Sequence, residues 1–159
     1  MLSFDKNGFL QPYEITEISI DTFIKQFVTG LEDKNHRMTL FNHYLKVMID
    51  LKQIVNKPFF QWIDGSFTTT KELPNDIDIV SFIDSDILAK KGRFVLDLKR
   101  MSKQKYSLDL HFAPTCKWNH RLFEESKKYK DIWEDVCGSS RKDQFGIRHP
   151  KGIIQINHR

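Results

Sequence analysis

Apolar side chains recur at steps of three and four in three stretches of the chain and cluster or alternate in four shorter ones. In residues 19–30, Ile20, Phe23, Ile24, Phe27 and Val28 form one helical stripe, with Ser19 placed to cap it and Gly30 to stop it. A longer helix is predicted over about 38–56, where Phe41, Tyr44, Leu45, Met48, Leu51 and Val55 keep the same period and Pro58 prevents continuation. A third is predicted over 118–136, with Leu122, Tyr129, Ile132, Trp133 and Val136 on its apolar face and Gly138 at its end.

The segments "FFQWI", "IDIVSFI", "YSLDLHFA" and "GIIQI" are short, aromatic or β-branched, and read as strands. Residues 1–18 read as irregular or edge structure, with a turn at Asn7–Phe9 and with Pro12 limiting any early helix. Residues 85–102 predict a helix or turn opening near Ser85, shaped or interrupted by Gly92, and carrying Lys90, Lys91, Arg93, Lys99 and Arg100. No repeat or low-complexity tract breaks the pattern, so the expectation is one α+β domain over residues 1–159, a small mixed β-sheet covered by helices.

Composition sharpens this picture at a few points. The 40% hydrophobic content, with 13% aromatics, supplies enough apolar area for a folded core. No long uncharged apolar run or export-type leader is visible, which predicts a soluble cytoplasmic protein with no membrane role. Cys116 and Cys137 read as ordinary thiols. The net charge of +4 is uneven: residues 1–87 carry 8 basic and 13 acidic side chains, and residues 88–159 carry 17 and 8. The second half is therefore where an anionic partner would be favoured.

The candidate chemistry lies in "WIDGSFTTTKELPNDIDIV", residues 62–80. If "DIDIV" is a strand, Asp76 and Asp78 share one face while Ile77 and Ile79 enter the core. Carboxylates at that spacing, roughly 6–7 Å apart, suit a hard cation. In "SLDLHF", burial of Leu108 and Leu110 turns Asp109 outward with Ser107 and His111, and three aspartates on neighbouring strands favour Mg²⁺ or Mn²⁺ over zinc. Gly65 and Ser66 read either as an ordinary turn or as a turn whose N–H groups and hydroxyl hold a phosphate.

Gly65-Ser66, nine residues, then Asp76-Ile77-Asp78, with Asp109 on a later strand, resembles the nucleotidyltransferase superfamily that includes DNA polymerase beta and the minimal nucleotidyltransferases. The wider text of residues 62–80, together with the terminal "KGIIQI", is similar to a small bacterial family of nucleotidyltransferase-like proteins. The resemblance implies a nucleotidyltransferase-like fold. It also implies transfer of a nucleoside monophosphate from a nucleoside triphosphate to a hydroxyl of a protein, nucleic acid or small molecule, with release of pyrophosphate. Gly65 and Ser66 would contact the phosphates, Asp76 and Asp78 would bind Mg²⁺ or Mn²⁺, and Asp109 would be the third catalytic and metal-binding carboxylate. The chain departs from many minimal members in carrying Lys71 as the only base in the loop after Ser66, and in having no room for a helical domain that encloses the nucleobase. A homo-oligomer or protein partner would complete such a site.

Other residues carry weaker signals. Within residues 141–152, Arg141, Lys142, Arg148, His149 and Lys151 are available to close over phosphates or contact RNA, ranked below Lys71. Cys116 and His120 lack the further ligands of a zinc site, and Asp64 and Glu72 are left out of the metal set. Two other functions compete with the transferase: an inactive regulatory or antitoxin-like protein that binds a partner, and a nucleic-acid-binding module using the basic half.

Overall fold

The computed structural model describes residues 2–159. A small hairpin of β1 (Ser3–Phe4) and β2 (Leu10–Gln11) precedes β3 (Ile15–Glu17). Helix α1 (Ile20–Phe23) runs on as a π-helical segment over Ile24–Val28, and α2 spans Lys34–Val55. The chain continues through β4 (Phe59–Asp64), a 3-10 turn at Ser66–Thr68, β5 (Ile77–Asp84), α3 (Ser85–Tyr106), β6 (Leu108–Thr115), α4 (Phe123–Cys137) and β7 (Ile153–His158). The fold is α+β, with a five-stranded mixed sheet in the order β3-β7-β4-β5-β6. β4 lies antiparallel to both β5 and β7, whereas β3 with β7 and β5 with β6 are parallel pairs.

Side-chain caps start α1 and α3, and left-handed residues end α2 and α3. The Ser19 hydroxyl accepts from the Thr22 amide at 3.1 Å, and the Asp84 carboxylate accepts from Asp86 and Ile87 at the start of α3. Left-handed Asn56 and Ser107 terminate α2 and α3.

The two sheet faces are covered differently. On one, Ile63, Ile77, Ile79, Ile83, Leu108, Leu110, Ile154 and Ile156 pack against Phe23, Phe27, Phe41, Met48 and Leu51 of the first two helices and Leu98 of α3. On the other, Trp62, Val80, Phe82, Ala113 and Ile153 meet Cys137 of α4. Odd-numbered β5 residues thus face the larger core and even-numbered ones the α4 side, as a period of two requires.

Three sequence-based expectations are corrected. Helix α2 begins at Lys34, a turn before residue 38, and its buried stripe takes in Arg37 and Leu40 while Leu45 stays exposed. Helix α3 runs unbroken through Gly92, whose missing side chain leaves open space and demands no kink. Helix α4 starts at Phe123, and its predicted apolar face is largely uncovered: Tyr129, Ile132 and Val136 are 50%, 59% and 45% exposed. Of that face Trp133 does pack on the sheet, against the cluster of Trp62, Val80 and Phe82, and α4 buries Ser126 and Cys137 beside it, so the spacing marks the packing side only in part.

Among the described residues, no helix is long and apolar enough to cross a membrane.

Candidate functional site

β4 and β5 end side by side with Asp64 directly opposite Asp78, and β5 and β6 place Asp78 beside Asp109. All three carboxylates therefore stand on the α4 side of the sheet, in one row across three strands. Asp76 lies just before β5, and Ile77 and Ile79 are fully buried on the other face, as the alternation predicted.

Gly65 bends the chain away at the end of β4. Its φ of +79° is left-handed, and a Cβ built there would lie 1.8 Å from Asp78 Oδ2. The glycine is thus required twice, by backbone conformation and by the carboxylate that occupies its missing side chain's place. From Gly65 the chain enters the 3-10 turn, where the Thr69 hydroxyl donates to Ser66 O at 2.8 Å and in turn accepts from the Lys71 amide.

The loop is held from behind by Arg37, whose side chain is 0% exposed. Its guanidinium donates to the carbonyls of Phe67 at 2.6 Å, Thr69 at 3.1 Å and Lys71 at 2.8 Å, and to Phe27 O at 3.1 Å. Asp33 neutralises it through Nε at 2.7 Å, and the other Asp33 oxygen accepts from the Leu73 amide. His36 bonds the carbonyl of Pro74 at 2.7 Å. One turn of α2 thus fixes the path of residues 67–74.

Carboxylates and loop open into a cavity of about 560 Å³. Gly65, Ser66, Lys71, Asp76 and Asp78 all line it, as do Asp64, Asn75, Arg141 and Lys151. Asn7, Phe9, Thr69, Thr70, Val136, Ser139 and Ser140 complete its lining. Of the sequence-predicted site residues, only Asp109 does not border the cavity. It stands one strand further out, with Lys103 Nζ 3.4 Å from Oδ2 and His111 Nε2 3.7 Å from Oδ1.

Electrostatics single out Asp78. Burial, with the charges of Asp76, Asp64 and Asp109 adding to it, raises its carboxyl from an ordinary 3.8 to about 6, against a partial offset from Lys151. Burial also pushes Asp64 up, although the Lys151 ammonium lies 2.5 Å from its Oδ1. The buried Cys137 thiol is pushed up as well, first by burial and then by Asp64 and Asp78, which marks how close the end of α4 comes to the acidic row. Burial lowers His111, with Lys99 adding to the effect and Asp109 opposing it.

Among the described residues, no group of three or more His, Cys, Asp and Glu side chains forms a ready-made metal cage. The donor chemistry nevertheless suits magnesium, which binds through one or two carboxylates and completes its shell with phosphate oxygens and water. Asp76 and Asp78 reach the cavity with oxygen donors only, and the Asp78 carboxyl is raised first by burial and then by the neighbouring carboxylates, a charge that a cation would offset.

Several parts of the site were missed from sequence. Asp64, left out of the acid set, is buried at its centre. Lys151 is its counter-ion, above the rank given to the 141–152 segment, whereas Arg148 and His149 of that segment are engaged by Asp135 and Asp143. Arg37 carried a usable signal: it extends the Phe41, Tyr44, Met48 stripe back by one turn, and a basic residue on a buried stripe needs several acceptors.

The model of a family described as of unknown function, DUF6932, matches residues 2–157. No curated protein and no solved structure matches the chain.

Proposed function

We propose that this chain, which belongs to the DUF6932 family, transfers a nucleoside monophosphate from a nucleoside triphosphate to a hydroxyl acceptor. The observation that carries the reading is the convergence of Gly65, Ser66 and Lys71 with Asp76 and Asp78 in one cavity that also receives Arg141 and Lys151. Cations and a hydroxyl for phosphate thus meet carboxylates for a hard cation, the combination that phosphoryl transfer needs.

In this reading the triphosphate lies along the 65–71 loop, held by the Ser66 hydroxyl and neutralised by Lys71 and Arg141. Asp76 and Asp78 would hold Mg²⁺ or Mn²⁺, which would supply positive charge to the phosphates and lower the pKa of the acceptor hydroxyl. The hydroxyl oxygen forms a bond to the α-phosphorus as the bond to the β-phosphate bridging oxygen breaks, and pyrophosphate leaves. The hydroxyl proton passes to water; Asp109 stands beside Asp78 but outside the cavity and acts on the site through its charge on Asp78. Lys151 pairs with Asp64 and offsets part of the repulsion behind the metal pair.

Incubation with each α-labelled nucleoside triphosphate and Mg²⁺, in the presence of a lysate as acceptor source, tests the reaction. Label should pass to an acceptor and fail to pass with Asp76→Asn/Asp78→Asn. Label transfer that survives in the double variant would sink the assignment.

A second reading is favoured by the ties on Asp109 and by the uncovered α4 row of Tyr129, Ile132 and Val136. It takes the chain as a regulatory or antitoxin-like protein that binds a partner and has lost turnover. It predicts a stable complex with a second protein, unaffected by Asp76→Asn/Asp78→Asn.

A further inference from the structure

We propose that the tip of the N-terminal hairpin, Asn7–Phe9, is the nucleobase subsite of the cavity, with Phe9 as the stacking surface and the Asn7 amide as the group that reads the base edge. The inference rests on the nucleotide reading given above and supplies what that reading lacks: a place for the base within this one chain.

Phe9 borders the cavity, yet it belongs to neither hydrophobic cluster of the fold. It is half-buried, and one face lies against the His149 ring, with centroids 5.8 Å apart and planes 19° apart. His149 is itself anchored, its Nε2 3.0 Å from Asp143 Oδ2 and its amide donating to the Ser140 hydroxyl at 2.9 Å. A phenyl ring backed by a fixed ring and open towards a polar cavity is suited to a planar, uncharged ligand group. Apart from Val136 and the Asn75 amide, the side chains of the remaining cavity wall offer charge and hydroxyls, which suit the phosphates and the sugar, and Phe9 is the cavity's one aromatic ring.

The tip is also built to stay in place. Asp5 Oδ1 accepts from the Asn7 and Phe9 amides at 2.8 and 2.9 Å, and its Oδ2 accepts from the Tyr13 hydroxyl. Gly8 is left-handed and buried, and a Cβ there would lie 2.1 Å from Thr70 Oγ1. The Thr70 amide donates to Gly8 O at 3.1 Å. The hairpin is therefore bolted to the same loop that carries Ser66 and Lys71, with its spacing from the phosphate turn set by backbone contact.

Asn7 supplies the selective element. It is exposed and lines the cavity, and only its backbone takes part in the turn, so the side-chain amide is free to offer a donor and an acceptor together. That pair matches the adenine edge, which presents an amino donor next to a ring-nitrogen acceptor. The larger π-face of a purine also gains more from a single stacking ring, so the class of ligand is an adenine-type purine nucleoside triphosphate.

Calorimetric titration with Mg²⁺ and either ATP, UTP or inorganic triphosphate tests the assignment on the wild type and on Phe9→Ala, Phe9→Tyr and Asn7→Asp. The wild type should bind ATP roughly 5- to 100-fold tighter than triphosphate, the range that loss of one base–aromatic stack covers. Phe9→Ala should bring ATP down to the triphosphate value and leave triphosphate unchanged, Phe9→Tyr should restore the difference, and Asn7→Asp should erase the preference for ATP over UTP. Equal losses for ATP and triphosphate in Phe9→Ala would mark it as structural, and retention of the ATP advantage would put the base elsewhere; either overturns the proposal while leaving the nucleotide reading intact. Failure of the wild type to bind either ligand overturns both.

Discussion

Replacing Arg37 with methionine tests whether one side chain of α2 shapes the phosphate loop. The variant keeps most of the side-chain volume but strands four carbonyls, those of Phe27, Phe67, Thr69 and Lys71, and leaves the half-hidden Asp33 carboxylate without its cation. Removing one partner of a buried ion pair costs about 3–5 kcal/mol, and the bonds lost here share that penalty instead of adding to it. For a chain of this size each kcal/mol corresponds to about 2–4 °C in Tm, so a fall of roughly 6–20 °C is expected. Urea unfolding gives the stability, and hydrogen exchange resolved along the chain gives its distribution. The Leu73 amide, which donates to Asp33, and its neighbours in residues 66–73 should lose protection ahead of the β4–β5 pairing. Arg37→Lys should recover only part of the loss, because an ammonium cannot span the diverging carbonyls that the guanidinium fork reaches. A loss below about 1 kcal/mol with unchanged exchange over 66–73 would refute the clamp.

Gly65→Ala places a methyl group where the Asp78 carboxylate lies and strains a left-handed residue, so a loss of about 1–3 kcal/mol is expected in urea unfolding, together with weaker Mg²⁺-dependent nucleotide binding. Asp78 holds its proton more tightly folded, at about 6, than unfolded, near 3.8, so its contribution makes stability fall as pH rises from about 4 to 6 and stay low above that. Asp78→Asn should therefore raise stability at pH 7.5 by on the order of 2 kcal/mol after allowance for its partial exposure, and Mg²⁺ should stabilise the wild type but not this variant; a variant less stable than wild type at that pH would contradict the reading. His158 behaves oppositely: burial lowers it to about 4, so its contribution is complete above about 6.5 and is lost as pH falls towards 4. His158→Gln should flatten that acid limb by about 2–3 kcal/mol in pH-dependent thermal unfolding, and an unchanged limb would point to another group.

The elements that were legible from sequence are those in which burial and period coincide. Ile77 and Ile79 alternate with Asp76 and Asp78, and the structure turns the isoleucines inward and the aspartates towards the cavity. Phe41, Tyr44, Met48, Leu51 and Val55 likewise pack as their spacing says. The reading failed where period alone could not say which face meets the sheet, as for Tyr129, Ile132 and Val136. In the site, Gly65, Ser66, Lys71, Asp76 and Asp78 were accessible because they crowd into one short segment; Asp109, legible as an outward residue between two leucines, stands one strand beyond the cavity. Asp64 was passed over because its role arises from register across β4 and β5 and from Lys151, which is distant in sequence. Phe9 was invisible for a similar reason: its importance depends on contact with Thr70 through Gly8 and with His149, and no local pattern encodes either.

The strand order carries a consequence for how the molecule comes to exist. β7 is the last strand along the chain, yet it occupies the second position in the sheet, between β3 and β4. On a ribosome, β4–β6 can pair early, but β3 has no partner and β4 presents an open edge until residues 153–158 emerge. Lys151 arrives with that strand, so the acidic row waits for its counter-ion until the same moment. Sheet closure and neutralisation of the site are one late event, and a translational stop or proteolytic removal of the segment after Cys137 abolishes both together.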